Sequence, residues 1–522
     1  MNENRNSIIY LCNGIKLDRK YKNVLDYSEA DMVTLCRNNA IASRLTFSFI
    51  KHGENRIKVD FTYSDCLRAN YIAFQNPDYS NKWFFAFIDK VEFVSPSTTI
   101  LHYTIDEWST WFKKLTLERC YVIREHVNDD TLGRHKIDEG LALGDYKVQS
   151  HLADSYNNDL CVIMGMSEDM YNNYALGVNN YNGIPAPLFY YRWDLTDTDI
   201  TVFTSALQAL SQGKTDAIVS MFLAPKWLAP YRSTTRYVDT SSSATTQNLG
   251  ISRITTIDGL TPKNNKTLCY PYCYIGLSNA VGNYIILEQE DWELDNNNEM
   301  VLTMYGVLNS GCSIKAVPIN YKGNGVAWDE SISVGKYPAL AWANDIYTNW
   351  QTQNGINILG IPVDATTGKT AVGGIKAIAG ATTGDIASLG SGIGDMVGAL
   401  QEDYRMSMIP AGVRGSLNTG DALVSAGANR LHAYRVTIEY EFAKAIDDFF
   451  TLFGYKVNTL KTPNITGRRY WNFIQIGASE VLGYGNIPHE ALDTINAIAR
   501  AGTTIWHNHT YLGNYALNNE II

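Results

Sequence analysis

The residues of this 522-residue chain with the chemistry for more than packing fall into three sets. The first is the paired carboxylates: Asp129/Asp130, Glu402/Asp403 and Asp447/Asp448. Two carboxyl groups about 5–10 Å apart across a cleft can cleave a glycosidic bond. These pairs, however, occur no more often than any acidic chain would show by composition. No G-x-S-x-G, H-E-x-x-H or P-loop pattern accompanies them. Gly373/Gly374 and the glycines after them do not follow a strand of a βαβ unit, so no phosphate cradle is expected. The sequence therefore reads as that of a non-enzyme, with a glycan-cleaving protein as the enzymatic alternative.

Cysteines and histidines form the second set. Cys12, Cys36, Cys66, Cys120, Cys161, Cys269, Cys273 and Cys312 are scattered along a large chain. The first residues lack the basic, apolar and small-residue regions of a signal peptide. Synthesis in a reducing cytoplasm, and hence unbridged thiols, is the expectation. Cys269 and Cys273 in CYPYC miss the C-x2-C spacing, and no second pair completes a zinc site. His507 and His509 in TIWHNHTY would share one face of a strand, which reads as two polar residues on an exposed face. No metal and no cofactor are expected.

The third set is Asp364, Asp385 and Asp395, stranded in the segment around which the chain is organised. From about Gly355 to Ala428 the sequence is rich in Gly, Ala, Ile, Ser and Thr, in a chain that is 12% aromatic overall. It is too apolar for a solvated linker. A loop this long inside a folded chain is usually functional or disordered. Ile386, Leu389, Ile393, Met396, Val397 and Leu400 fall at helical spacing and make one apolar stripe. Gly390, Gly394 and Gly398 fall four apart beside it, a row that lets helix backbones approach closely, as in lipid. Such a helix spans about 22 Å, short of the roughly 30 Å hydrocarbon core. It is not an ordinary membrane span. It reads as a segment buried conditionally, against copies of itself or in a bilayer, or as a Gly/Ala-rich hairpin packed within one subunit. Carboxylates are costly in lipid and protonation removes most of that cost. Membrane insertion is therefore expected to strengthen as pH falls.

The elements on either side are well patterned. Ile57, Val59, Phe61 and Tyr63 alternate with polar residues as a half-buried strand does. KWFFAFIDKVEFV (82–94) is apolar on both faces at its start. Asp106 is placed to cap a helix over EWSTWFKKL, and RCYVIREHV (119–127) closes a block of antiparallel strands. The middle of the chain, to Tyr347, is loop-rich with strands such as LCVIMGM. Residues 203–225 read as a helix broken at Gly213 and a second apolar element. After the apolar segment, Tyr434, Val436, Ile438, Tyr440 and Phe442 share a strand face. A helix follows with Gly454 as its C-terminal cap, then a strand over RRYWNFIQIG. PHEALDTINAIARAG reads as an amphipathic helix, with Pro488 at its start, Gly502 at its end, and Leu492, Ile495 and Ile498 inward. The net charge of −10 argues against a nucleic-acid binder that neutralises phosphates. It is compatible with an acidic channel wall to which DNA does not stick.

Two blocks resemble the tail knob, or distal tail tube, proteins of small φ29-like podophages. One is KWFFAFIDKVEFVSPSTTILHYTIDEWSTWFKKLTLERCYVIREHVND (82–129). The other is GYKVNTLKTPNITGRRYWNFIQIG through GNIPHEALDTINAIARAGTTIWH to LGNY (454–515). The long apolar insertion between body strands sits at the family's place. The resemblance implies a β-rich α+β fold: an antiparallel barrel or sandwich forming a tube, a second β-rich domain, and the insertion. The corresponding domains are 1–130 (tube, first part), 131–349 (knob), 350–428 (plug loop) and 429–522 (return to the tube domain).

The resemblance further implies a homohexamer at the distal end of the virion tail, in contact with other phage tail proteins. Viral DNA would pass through the lumen without sequence-specific binding. Six hydrophobic loops would plug the tube, then leave it and form a pore in the host membrane. The contacts with lipid would come from Ile375, Ile378, Ile386, Leu389, Ile393, Met396, Val397, Leu400, Met406, Met408 and Ile409. Gly390, Gly394 and Gly398 would pack the loops in the lumen, and Asp364, Asp385 and Asp395 would be the pH-sensitive carboxylates. The alternative is a tail-tip hub or receptor-binding protein whose loop only seals the tube, with surface aromatics of the middle domain binding wall polymers.

Overall fold

The computed structural model describes residues 7–340, with short breaks at 48–49, 52–53, 77–79, 154–159, 172–178, 182–183, 195, 197, 200–201, 204, 207–216, 232–235, 239–245, 280–282, 310–312 and 335–338, together with residues 431–522. The chain forms two compact units. The first comprises Met1–Leu143, Leu260–Leu268 and Tyr440–Ile522, and the second Gly144–Gly259 and Cys269–Glu439.

Alternation along the strands makes the first unit a stack of layers. A seven-stranded antiparallel sheet runs in the order Ala40–Phe47, Ser7–Cys12, Tyr71–Asn76, Lys82–Ser95, Thr98–Ile105, Arg56–Val59 and Ile50–Lys51. Ile9 and Leu11 point to one side, into a core with Ile57, Val59, Phe74 and Leu101. Tyr10 and Cys12 point to the other, against Met32, Tyr71 and Phe87. Burial on both sides is why residues 83–88 are apolar without alternation. A five-stranded sheet runs Asn23–Leu25, Thr503–Trp506, Trp471–Ile476, Cys120–Glu125 and Tyr455–Lys461. Its Trp471 and Trp506 join the second of those cores. Its other face buries Val122, Ile474 and Ile505 under Ile495 and Ile498 of the helix His489–Ala501.

Capping follows the sequence signals. Ser28 and Asp31 form a capping box at the helix Glu29–Asn38. The Asp106 carboxylate accepts from the Ser109 N–H at the start of Glu107–Trp111. Gly454, at φ +64°, ends the helix Tyr440–Phe453. A Cβ there would lie 2.1 Å from the Glu125 carbonyl oxygen, so the position accepts only glycine. Gly502 plays the same part after His489–Ala501.

The second unit holds three principal antiparallel sheets. One runs Tyr146–Ala153, His432–Ile438, Cys273–Ser278, Tyr284–Leu287, and another Phe189–Asp194, Leu160–Met166, Ile218–Pro225, Ala339–Leu340. The third joins Thr246–Ser252, Glu299–Val307, Ser313–Tyr321 and Asn324–Val326, with Ile332–Val334 also on Ser313–Tyr321. The fold is thus β-rich and of α+β type, as expected.

Several boundaries differ from the sequence reading. The strand before the C-terminal block stops at Ile438 and a helix begins at Tyr440, so Tyr440 and Phe442 lie off the strand face. Strand His432–Ile438 pairs on both sides with strands of the second unit, so the first unit resumes at Tyr440 and not at 429. Tyr63 opens the short helix Tyr63–Arg68, capped by Thr62, and does not continue the strand Arg56–Val59. In 203–225, Ile218–Pro225 is a strand, and the break expected at Gly213 lies outside the described residues. Strand Thr503–Trp506 ends before His507, and His509 sits in a 3₁₀ turn, so the two histidines do not share a strand face.

Candidate functional site

The expected lipid-facing residues Ile375, Ile378, Ile386, Leu389, Ile393, Met396, Val397, Leu400, Met406, Met408 and Ile409 lie outside the described residues. So do Gly390, Gly394, Gly398, Asp364, Asp385 and Asp395. What the structure does define is how the insertion is attached. Before it, Ala339 and Leu340 pair with Phe222 and Met221 at the edge of a four-stranded sheet. After it, Leu431 is fully buried, and His432–Ile438 enters the interior of another sheet, between Tyr146–Ala153 and Cys273–Ser278. Both attachments belong to the second unit, and each is held by backbone ladder bonds. Among the described residues no helix is long and apolar enough to cross a membrane.

The sheet that receives the chain back has a distinctive outer face. Register places Tyr146, Val148, His151, His432, Tyr434, Tyr274, Tyr284 and Ile286 on the same side. Tyr146, Val148, Tyr284 and Ile286 are exposed, with Tyr284 at 49%. The phenol of Tyr284 reaches across Gly276, where a Cβ would lie 2.0 Å from its hydroxyl oxygen. Tyr146 packs edge-on to Tyr274, 5.3 Å between centroids, and donates its hydroxyl proton to the Pro271 carbonyl at 2.9 Å. His151 stacks on Tyr434 at 4.8 Å, and its Nε2 lies 2.7 Å from Nδ1 of His432. One of those imidazoles must carry the shared hydrogen and the other accept it. Hydroxyl-tipped aromatic rings on a flat surface suit ligands with alternating apolar and polar faces.

A dense polar floor underlies the C-terminal part of the first unit. Asp447 is 4% exposed. Its carboxylate accepts from the N–H groups of Lys263 and Asn264, the Asn264 amide and the Thr267 hydroxyl. This carboxylate thereby fastens the short 260–268 segment, which comes from a distant part of the chain. Glu139 is fully buried between Arg124 and Lys266. Glu125 is equally buried, paired with Lys461 and accepting from the Asn464 N–H.

His126 is enclosed beside them. Its Nδ1 accepts from the Phe473 N–H at 2.7 Å, so Nε2 bears the hydrogen donated to the Thr451 carbonyl at 3.1 Å. Burial, with the Arg468 charge behind it, pushes its pKa down to about 3. Arg468 is 8% exposed and donates to the carbonyls of Asn519 and Val127. Burial also raises the pKa of Asp130 above the ordinary carboxylate value. Asp130 accepts from the Tyr455 hydroxyl and the Asn265 N–H.

These groups are bound to one another and not aimed at a shared substrate position. Asp129/Asp130 and Asp447/Asp448, the described acid pairs, each split into one hydrogen-bonded structural carboxylate, half-buried in Asp130 and buried in Asp447, and one outward residue. Glu402/Asp403 lies outside the described residues. Cys269 and Cys273 are buried, and no disulfide joins any of the seven described cysteines. No metal-sized cluster of His, Cys, Asp or Glu occurs among the described residues.

The role of Asp447 was missed in the sequence, although a signal was present. It sits within the helix's apolar stripe of Ala443, Ile446 and Phe450, where a carboxylate implies a buried partner.

Comparison with known proteins agrees with this architecture. The family model described as Bacillus phage phi29 tail knob protein gp9, C-terminal domain, matches residues 236–520. A model of the caudoviral major tail protein N-terminus matches residues 5–116. The tail knob proteins gp9 of Bacillus phages PZA, B103 and phi29 are each 24% identical to this chain, over 92% of it and 92% of their own lengths. In the solved structure of the bacteriophage C1 tail knob protein gp12, the fold superposes with a TM-score of 0.67. That match covers 99% of this chain and 100% of the C1 protein at 13% identity.

Proposed function

The chain belongs to the phage tail knob family represented by phi29 gp9, a structural component of the virion tail, and we propose that it forms a homohexameric tube at the distal tail tip that delivers the genome through the host membrane. On this reading the apolar segment of each subunit plugs the lumen before infection, then leaves it and inserts into lipid as a pore. DNA crosses without base-specific contacts, past an acidic chain of net charge −10. The observation that carries the proposal is the attachment of the apolar segment. The strand before it, Ala339–Leu340, lies at a sheet edge and the strand after it, His432–Ile438, in a sheet interior, so both flanks are held in ladders of the folded body whatever the segment between them does.

The test is dye release from liposomes by the purified full-length protein between neutral and acid pH. The control replaces residues 355–428 by a short Gly/Ser linker, with the oligomer checked by light scattering. Release by the parent alone is expected, increasing toward acid. Asp364→Asn, Asp385→Asn and Asp395→Asn combined should flatten that pH dependence. An unchanged pH profile removes the carboxylates from the mechanism, and no release by either protein reduces the loop to a seal.

The exposed tyrosine–histidine face favours a second reading, a tail-tip hub that docks on wall polysaccharide. In that case Tyr284→Ala and Tyr434→Ala abolish retention on host wall saccharide while leaving assembly intact.

A further inference from the structure

His151 and His432 meet on the outer face of the sheet that receives the chain back after the apolar segment. Nε2 of His151 lies 2.7 Å from Nδ1 of His432. The ring centroids are 4.9 Å apart and the planes differ by 17°, so the rings meet nitrogen to nitrogen and nearly in one plane. Tyr434 holds them there, its ring 4.8 Å from that of His151 and 6.1 Å from that of His432, and close to parallel with both. His151 is exposed and His432 half-buried, so water reaches the pair. His432 is the first residue of its strand, opposite Ala153 on one side and Ser278 on the other. The two imidazoles therefore join neighbouring strands at the rung where the chain re-enters the folded body, directly after the buried Leu431.

Imidazole is the side chain that changes charge between about pH 5 and 8. With both rings neutral, one facing nitrogen donates the shared hydrogen and the other accepts it. One added proton goes to the outer nitrogen of the donating ring, which leaves the bond in place and makes it charge-assisted. A second proton must go to the accepting nitrogen. Two N–H groups then face each other and two like charges stand side by side. The other titratable side chains that the four strands place on this face are the phenols of Tyr146, Tyr274, Tyr284 and Tyr434. Glu288 follows the edge strand Tyr284–Leu287, three strands across from His151. Lys147 and Arg435 lie on the opposite side by register, and Lys147 is paired with Asp258 and Glu439. We propose that His151 and His432 form a proton-sensitive clasp between their strands, closed in the neutral and singly protonated states and opened by the second proton, so that acid frays the rung through which the chain re-enters the sheet. The clasp is a property of the folded sheet and needs neither lipid nor a second subunit, so it stands or falls apart from the pore.

The experiment is hydrogen–deuterium exchange of the full-length protein at pH 7.5, 6 and 4.5, each rate divided by that of an unstructured chain at the same pH. Exchange at residues 431–434 should rise about tenfold from the highest to the lowest pH, as one hydrogen bond is replaced by a repulsion. His151→Gln, at an exposed position, leaves a single imidazole with no like charge opposite it and should hold the rise under about twofold. His102→Gln, which removes an imidazole from the first unit, should keep the full rise. A rise as large in His151→Gln as in the parent overturns the proposal, and so does exchange at 431–434 that stays flat with pH in the parent.

Discussion

His126 carries its pH dependence in its hydrogen bonds. With Nδ1 accepting and Nε2 donating, a second ring proton has no acceptor, and burial holds the folded pKa near 3. The unfolded imidazole takes up that proton near pH 6.5. The folded-state pKa is depressed, so this contribution to stability is full above pH 6.5 and is lost as pH falls toward 3. The slope approaches about 1.4 kcal/mol per pH unit. Urea unfolding at pH 7, 5 and 4 should show this, and His126→Gln should flatten the slope while costing about 1–2 kcal/mol at pH 7. Asp447→Asn keeps the shape but turns one acceptor into a donor facing backbone N–H groups. It should cost about 2–3 kcal/mol in the same measurement. That the sequence marks Asp447 only by its place in an apolar stripe has a physical cause. Its partners, residues 263–267, are 180 to 184 residues away, with no local pattern linking the two.

At the scale of elements, caps and alternation were legible because their physics is local. Asp106, Gly454 and Gly502 act within a turn of where they stand. The strand–helix junction at 438–440 was not, because Tyr440 and Phe442 continue the alternation by coincidence through the first helical turn. Packing of the helix, with Ala443, Ile446 and Phe450 inward, settles which periodicity applies. Gly454→Ala should destabilise by about 2 kcal/mol or more, from its positive φ and the collision with Glu125. Between helices Glu107–Trp111 and His489–Ala501, burial, then Asp106 and Glu490, push Glu107 up to about 7. A raised carboxylate pKa means that stability declines as pH rises from about 4.5 toward 7. Glu107→Gln should therefore be the more stable protein at pH 8, by under about 1 kcal/mol for so accessible a group, and lose that advantage by pH 4.

At the scale of the molecule, the β-rich α+β class was legible from strand patterning, and the family from two blocks that both fall in the first unit. The partition into units was only partly so. A strand such as His432–Ile438 is assigned by the ladder it joins, and pairing partners more than a hundred residues off leave no trace in its own residues. Replacing 355–428 by a linker should leave that ladder in place, since its bonds run to 146–153 and 273–278. Thermal unfolding of the replaced protein should match the parent within about 1 kcal/mol.

The strand Cys120–Glu125 lies between Tyr455–Lys461 and Trp471–Ile476. Arg119 reaches the Leu460 carbonyl across 341 residues of chain. During synthesis this strand leaves the ribosome on the order of tens of seconds before either neighbour exists. Until then both of its edges are open to any extended chain nearby. Completion of the first unit therefore waits on residues 455–476, the second unit can fold while the first waits, and a product truncated before residue 455 would be prone to aggregate through that open strand.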